Sequence, residues 1–140
     1  METHQETILI VEDNLPNRKL IEAILRPRGY NLLVATNGME AIEMACREKP
    51  DLILMDLQLP MMSGYETTRR LKNLSSTSCI PIVALTAHVM AEDRQQAIAS
   101  GCTGFIAKPI NTRVFPSDIR QYFQNKQQPE HITNTEKHGL

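Results

Sequence analysis

Five side chains able to do acid, base or anion-binding chemistry stand directly behind apolar runs. Glu12 and Asp13 follow Ile8-Leu9-Ile10-Val11, and Asp56 follows Leu52-Ile53-Leu54-Met55. Thr86 follows the run from Ile80 to Leu85, and Lys108 follows Gly104-Phe105-Ile106-Ala107. Each run reads as a short strand buried on both faces. If these strands lie parallel, their carboxyl ends share one edge of a sheet, where α/β proteins bind ligands. Three carboxylates, a hydroxyl and an ammonium then converge. At ~5 Å and an effective dielectric near 20, each ionised acid pair costs roughly 3 kcal/mol. A site that only stabilised the fold would avoid that cost. A divalent cation relieves it, and oxygen-only ligation selects Mg²⁺ (or Mn²⁺) over Zn²⁺. Lys108 supplies a fixed positive charge for anionic oxygens, and Thr86 a hydroxyl donor to the same group. A carboxylate at the centre of such a ring can act as a nucleophile toward phosphorus. The metal and the lysine would neutralise charge on the equatorial oxygens. Asp56, at the end of the middle run, is the candidate nucleophile.

Taken singly, each of these residues has a plain structural reading. An Asp after a strand caps a helix, a Thr does the same, and a lone Lys is solvated. Their joint order along the chain carries the inference.

The elements that must position them alternate. Asn14 can cap a helix whose first turn holds Pro16, with apolar pairs Leu20/Ile21 and Ile24/Leu25 on one buried face and Pro27 and Gly29 closing it. Leu32 to Ala35 reads as a second strand. Asn37-Gly38 opens a helix with Ala41, Ile42, Met44 and Ala45 inward, and Pro50 stops it. A third helix is expected near Tyr65 to Leu74, and a fourth near Ala91 to Ser100, closed by Gly101. Pro116 would cost about 3 kcal/mol inside a helix. The last helix should therefore start at Phe115 or Pro116, with a separate turn over Asn111 to Val114. Five strands alternating with helices predict a parallel α/β sheet covered on both faces.

The chain has 140 residues, 41% hydrophobic and 22% charged, with a formal net charge of −1. That length can bury a core without disulfide or metal staples, and the composition excludes a wholly disordered chain. No basic excess marks a nucleic-acid or membrane-surface binder. No apolar run is long enough to span a bilayer, and the polar N-terminus carries no signal-peptide pattern. Cys46, Cys79 and Cys102 form no CxxC and read as reduced thiols. A cytoplasmic protein with a loose N-terminus over 1–6, one domain over 7–124 and a flexible polar tail over 125–140 is expected.

Four stretches together resemble the receiver domain of two-component response regulators: Ile8-Leu-Ile-Val-Glu12-Asp13-Asn14; Pro50 to Gly64 around Asp56; Ile82-Val-Ala-Leu-Thr86-Ala87; and Gly104-Phe-Ile-Ala-Lys108-Pro109. The resemblance covers about residues 7 to 124 and is strongest for stand-alone, DivK-like regulators and the receivers of hybrid kinases. It implies a flavodoxin-like (CheY-like), doubly wound, five-stranded parallel sheet of order 2-1-3-4-5 with helices on both faces. It implies that Asp56 accepts a phosphoryl group from a histidine kinase or histidine phosphotransfer protein. Asp13, Asp56 and the backbone carbonyl of Gln58 would hold Mg²⁺, with Glu12 acting mainly through water. Thr86 and Lys108 would hold the phosphoryl oxygens. Phe105 would be an aromatic switch turning inward as Thr86 moves, and the Lys108-Pro109 bond would be cis. A downstream protein would dock on the face built by the fourth helix, fifth strand and last helix. Departures from the family pattern are Pro116 in the last helix and Phe105, which lacks a phenolic hydroxyl. His88 reads as a solvent-facing loop residue.

Three rival readings fit the residues less well. A receiver-fold interaction module working without phosphorylation would leave all five site positions idle. A Mg²⁺-dependent phosphohydrolase with an Asp nucleophile, of the haloacid dehalogenase type, wants a second Asp where Gln58 stands, and a substrate cap. A flavin-binding flavodoxin fits worse, because Glu12-Asp13 would repel phosphate. No DNA-binding module fits after Lys126, so action through protein contacts is expected.

Overall fold

The computed structural model describes residues 5–127. The expected tail beyond Gln127, and residues 1–4, lie outside the described residues. Five strands, β1 (Thr7–Val11), β2 (Asn31–Ala35), β3 (Leu52–Asp56), β4 (Ile82–Thr86) and β5 (Gly104–Ala107), alternate with five helices. The helices are α1 (Leu15–Leu25), α2 (Gly38–Glu48), α3 (Gly64–Lys72), α4 (Ala91–Ser100) and α5 (Phe115–Gln127). All strand pairs are parallel, in the order β2-β1-β3-β4-β5. This is the parallel sheet that the alternation predicts, in the doubly wound order that the family resemblance implies.

The period of two along each strand splits the core into two layers. Leu9, Val11, Ile53, Met55, Ile82 and Ala84 face one side with Ala41 and Ala45 of α2, Leu71 of α3 and Ala97 of α4. Ile8, Ile10, Leu52, Leu54, Val83 and Leu85 face the other with Ile21 and Leu25 of α1 and Phe115, Ile119 and Phe123 of α5. Burial on both faces explains why β1, β3 and β4 read as unbroken apolar runs. It also forces every polar side chain of the central strands to their ends.

Helix starts follow the caps in the sequence. The side chains of Asn14, Asn37 and Ser63 accept the backbone N–H groups of Asn17, Glu40 and Glu66. Helix α4 is held differently: the Asp93 carboxylate accepts the Met90 N–H at 3.2 Å. Gly101 ends α4 at φ 113, a left-handed position that a residue with a Cβ adopts only under strain. Pro116 sits in the first turn of α5, after a turn over Thr112 to Val114. There its missing N–H costs nothing.

The structure departs from the sequence expectations at four places. Leu20 is 39% exposed rather than inward, because Ile21 and Leu25 form the row that meets the sheet and Leu20 lies on its flank. Strand β4 begins at Ile82, since Pro81 has no N–H to give to a ladder, although its carbonyl accepts from Ile53. Gln5 and Glu6 are tied down: Glu6 receives the Asn31 N–H on its carbonyl, and its carboxylate pairs with Arg120 at 2.9 Å. Helix α5 runs to Gln127, past the expected boundary at 124.

Gly64 begins α3 against the end of β3. A Cβ there would meet the Asp56 carbonyl oxygen at 2.3 Å and the Leu57 Cα at 2.7 Å. Both are backbone and cannot rotate away. Gly64→Ala is expected to lower stability by about 1–3 kcal/mol, the range for overpacking a close contact. Urea unfolding of the two proteins checks this.

Candidate functional site

Parallel pairing gathers the chemistry-bearing residues at the carboxyl ends of β1, β3, β4 and β5. Glu12 and Asp13 leave β1, Asp56 closes β3, Thr86 closes β4, and Lys108 follows β5. Oxygens of Glu12, Asp13 and Asp56 lie within 4.8 Å of one another. Glu12 is 0%, Asp56 2% and Thr86 1% exposed, while Asp13 is open to solvent. All five residues singled out for chemistry therefore meet at one edge.

The Lys108 ammonium answers the acids. It stands 3.1 Å from Glu12 Oε1 and 3.3 Å from Asp56 Oδ1. The Gln58 N–H also donates to Asp56 Oδ1, at 2.9 Å. Among the described residues no hydrogen bond to Asp56 Oδ2 occurs, which leaves that oxygen available to a reactant. The Asn14 N–H donates to Glu12 Oε2 at 3.2 Å. Glu12 Oε1 is buried and lacks an aligned hydrogen-bond donor, so only the nearby ammonium answers it. One ammonium does not neutralise three carboxylates. A buried carboxylate oxygen answered only by a shared ammonium, beside two further acids, fits an oxygen-liganded divalent cation.

Thr86 is occupied locally. Its hydroxyl oxygen accepts the His88 N–H at 2.9 Å and lies 3.3 Å from the His88 carbonyl. His88 itself is exposed, as the sequence reading has it. Phe105 is half-buried and pairs in register with Ala84, so its ring shares a sheet face with Thr86 two residues on. The Lys108-Pro109 bond is cis.

Two contacts were not legible in the sequence. Arg18, on α1, donates to the Glu12 carbonyl oxygen at 3.1 Å and ties down the loop carrying both acids. Arg94, on α4, lies over the Phe105 ring at 4.7 Å from its centroid. Neither has a motif to announce it, since each joins a helix to another element through folding alone.

The family model for the response regulator receiver domain matches residues 8–120. The chain belongs to this family. It is 40% identical over 117 residues to the polar-differentiation response regulator DivK of Brucella anthropi, covering 84% of this chain and 95% of that protein. Among solved structures it resembles the receiver domain of a sensor histidine kinase from Pseudomonas aeruginosa PAO1, whose active site cleft coordinates a magnesium ion. The TM-score is 0.76 and the identity 34%, over 87% of this chain and 97% of that one. It also resembles the Saccharomyces cerevisiae Ssk1 receiver domain, crystallised with the histidine phosphotransfer protein Ypd1. There the TM-score is 0.80 and the identity 30%, over 87% and 91% of the chains. The chain is thus a receiver domain of the two-component response regulator type, a signalling module. Among the described residues of this receiver, no helix is long and apolar enough to cross a membrane.

Burial raises the pKa of Glu12 above the ordinary glutamate value of 4.5, and the Asp56 charge adds to the rise against the opposing pull of Lys108. A carboxyl with a raised folded pKa binds its proton more tightly in the folded chain than in the unfolded one. Stability of the metal-free protein therefore falls as pH climbs from about 4.5 through the raised value. Glu12→Gln is expected to flatten that fall. Urea unfolding in EDTA between about pH 4 and pH 8 measures it.

Proposed function

We propose that this receiver is a phosphoacceptor in which Asp56 takes a phosphoryl group from the phosphohistidine of a histidine kinase or histidine phosphotransfer protein. The observation that carries the reading is the single ammonium of Lys108 shared between Glu12 and Asp56 inside the cluster of three acids. Support comes from the magnesium ion of one structural neighbour and the phosphotransfer partner of another. We assign the receiver unit to residues 5–127, a little wider than the 7–124 expected from the sequence, and the exchange to the cytoplasm.

The proposed step is an in-line displacement. Asp56 Oδ2 attacks phosphorus, a P–O bond forms, and the P–N bond to the donor imidazole breaks. The electron pair of that bond stays on the imidazole nitrogen, which takes up a proton from water. Autodephosphorylation is the corresponding attack of water, which returns inorganic phosphate and the free carboxylate. Asp13, Asp56 and the Gln58 carbonyl would hold Mg²⁺ (or Mn²⁺), with Glu12 beside them. When bound, the cation neutralises charge on the oxygens of the transferring group. Lys108 is already poised at Asp56 Oδ1 and exchanges part of that contact for a phosphoryl oxygen. This makes it an electrostatic stabiliser rather than a proton carrier.

The switch follows from the added charge. An aspartyl phosphate brings about two negative charges to one strand end. The Thr86 hydroxyl leaves His88 and donates to a phosphoryl oxygen, the β4–α4 loop follows, and Phe105 turns into the space on the shared sheet face. The face built by α4, β5 and α5 then presents a changed surface to a downstream protein. A coupling of about 1–3 kcal/mol is the usual size of such a bias.

Incubation with Mg²⁺ and acetyl phosphate should add one phosphoryl group to the intact mass. The gain should vanish with EDTA and in Asp56→Asn, and a full gain in that variant would overturn the assignment. Lys108→Ala should slow the gain on the order of 10²-fold, the usual loss for a preorganised donor at developing charge.

A further inference from the structure

Helix α5 has a second side. Asp118, Gln121 and Tyr122 line a cavity shared with Phe105, whereas Pro116, Ser117 and Arg120 line another, shared with the turn before β2. That second recess holds about 450 Å³, a size that suits a small ligand. Its three guanidiniums come from three separate segments: Arg28 from the turn after α1, Arg113 from the turn before α5, and Arg120 from α5 itself.

Arg120 is already committed. Its guanidinium pairs with Glu6 at 2.9 Å, donates to the Tyr30 hydroxyl at 2.8 Å and lies 5.1 Å from the Phe123 ring centroid. Tyr30 in turn stacks on Phe123, with ring centroids 5.6 Å apart. These contacts make a fixed floor. Arg28 and Arg113 are exposed and make no ion pair among the described residues. The acids nearby are engaged elsewhere: Glu6 with Arg120, Glu22 with Arg26 at 3.5 Å, and Asp118 on the Phe105 side of α5. The first turn of α5 adds a donor. Pro116 has no N–H, and the Ser117 N–H has no acceptor among the described residues. Unneutralised guanidiniums beside an open helix N-terminus favour an anion.

We propose that this recess is a binding site for a soluble, phosphate-bearing small molecule. Arg28 and Arg113 are its two charged ligands, and the braced Tyr30 is its floor. A phosphate group offers three oxygens, enough to accept from two guanidinium forks and a backbone N–H together, whereas a carboxylate offers two. A recess, rather than a flat basic face, suits a free molecule over a lipid headgroup. The site uses no residue of the acid edge and does not rest on the phosphoacceptor reading.

Isothermal titration calorimetry with inorganic pyrophosphate tests this on the full chain, in magnesium-free buffer of low ionic strength. Without a metal the acid cluster repels the probe. The parent should bind one pyrophosphate with a dissociation constant of about 0.1 mM or tighter. Arg28→Ala and Arg113→Ala should each weaken binding about tenfold, the loss of one charge-assisted hydrogen bond. Neither side chain braces the core, so both variants should keep the urea midpoint of the parent. Asp56→Asn should bind as the parent does, and citrate should bind more weakly than pyrophosphate. Absence of saturable pyrophosphate binding by the parent overturns the site, as does equal binding by the parent and both arginine variants. Lost binding in Asp56→Asn places the anion at the acid edge and overturns it too. Citrate binding as tight as pyrophosphate overturns the phosphate class. Co-sedimentation with phosphatidylglycerol vesicles, without pyrophosphate binding, overturns the soluble ligand in favour of a lipid surface.

Discussion

Placing three carboxylates at the end of a sheet is the constraint on which this molecule depends. Glu12 and Asp56 are buried, Asp13 sits within 4.8 Å of them, and one ammonium stands between the two buried groups. In a low-dielectric edge such a cluster opposes folding. The rest of the chain has to supply the stability that the cluster withholds. The raised pKa of Glu12 expresses that cost, with burial as the main cause and the Asp56 charge second. The reward is a site that favours added positive charge over its resting state.

The sheet meets that demand by being apolar on both faces. Strands β1, β3 and β4 have no inward polar side chain before their last residue or the loop beyond it. Two layers of aliphatic packing, one toward α2, α3 and α4 and one toward α1 and α5, fix the strands in register. That register brings Asp56 level with Leu85, and Thr86 level with Ala107, just before Lys108. Rigid strands thus deliver side chains from distant parts of the chain to one place, and the loops beyond them remain free to respond. Close backbone approach at Gly64, against Asp56 and Leu57, holds the end of β3 and the start of α3 together.

In the proposed switch, charge added at the acid edge is passed to the α4–β5 surface. Thr86 is bonded within its own loop, and Phe105 sits on the same sheet face under Arg94. Each of these contacts is weak alone, which suits a switch. A bias of about 1–3 kcal/mol can redistribute populations only if the resting contacts are of similar size.

Much of this was legible in the residues themselves. Buried strands announce themselves as apolar runs, and helix caps such as Asn14, Asn37 and Ser63 mark where the chain turns back. Parallel alternation then forces the residues behind the runs onto one edge, so the order of the sequence alone groups Glu12, Asp13, Asp56, Thr86 and Lys108. Pro116 likewise fixed the start of α5, because only a first turn tolerates its missing N–H. What the sequence could not supply were contacts between elements that no periodicity links. The Lys108 ammonium bridging Glu12 and Asp56, Arg18 on the Glu12 carbonyl, Arg94 over Phe105, and Leu20 on the flank of α1 all depend on how helices sit on the sheet. A local pattern records which face of an element is apolar, whereas the rotation and offset of that face against its neighbour are set only when the whole core packs.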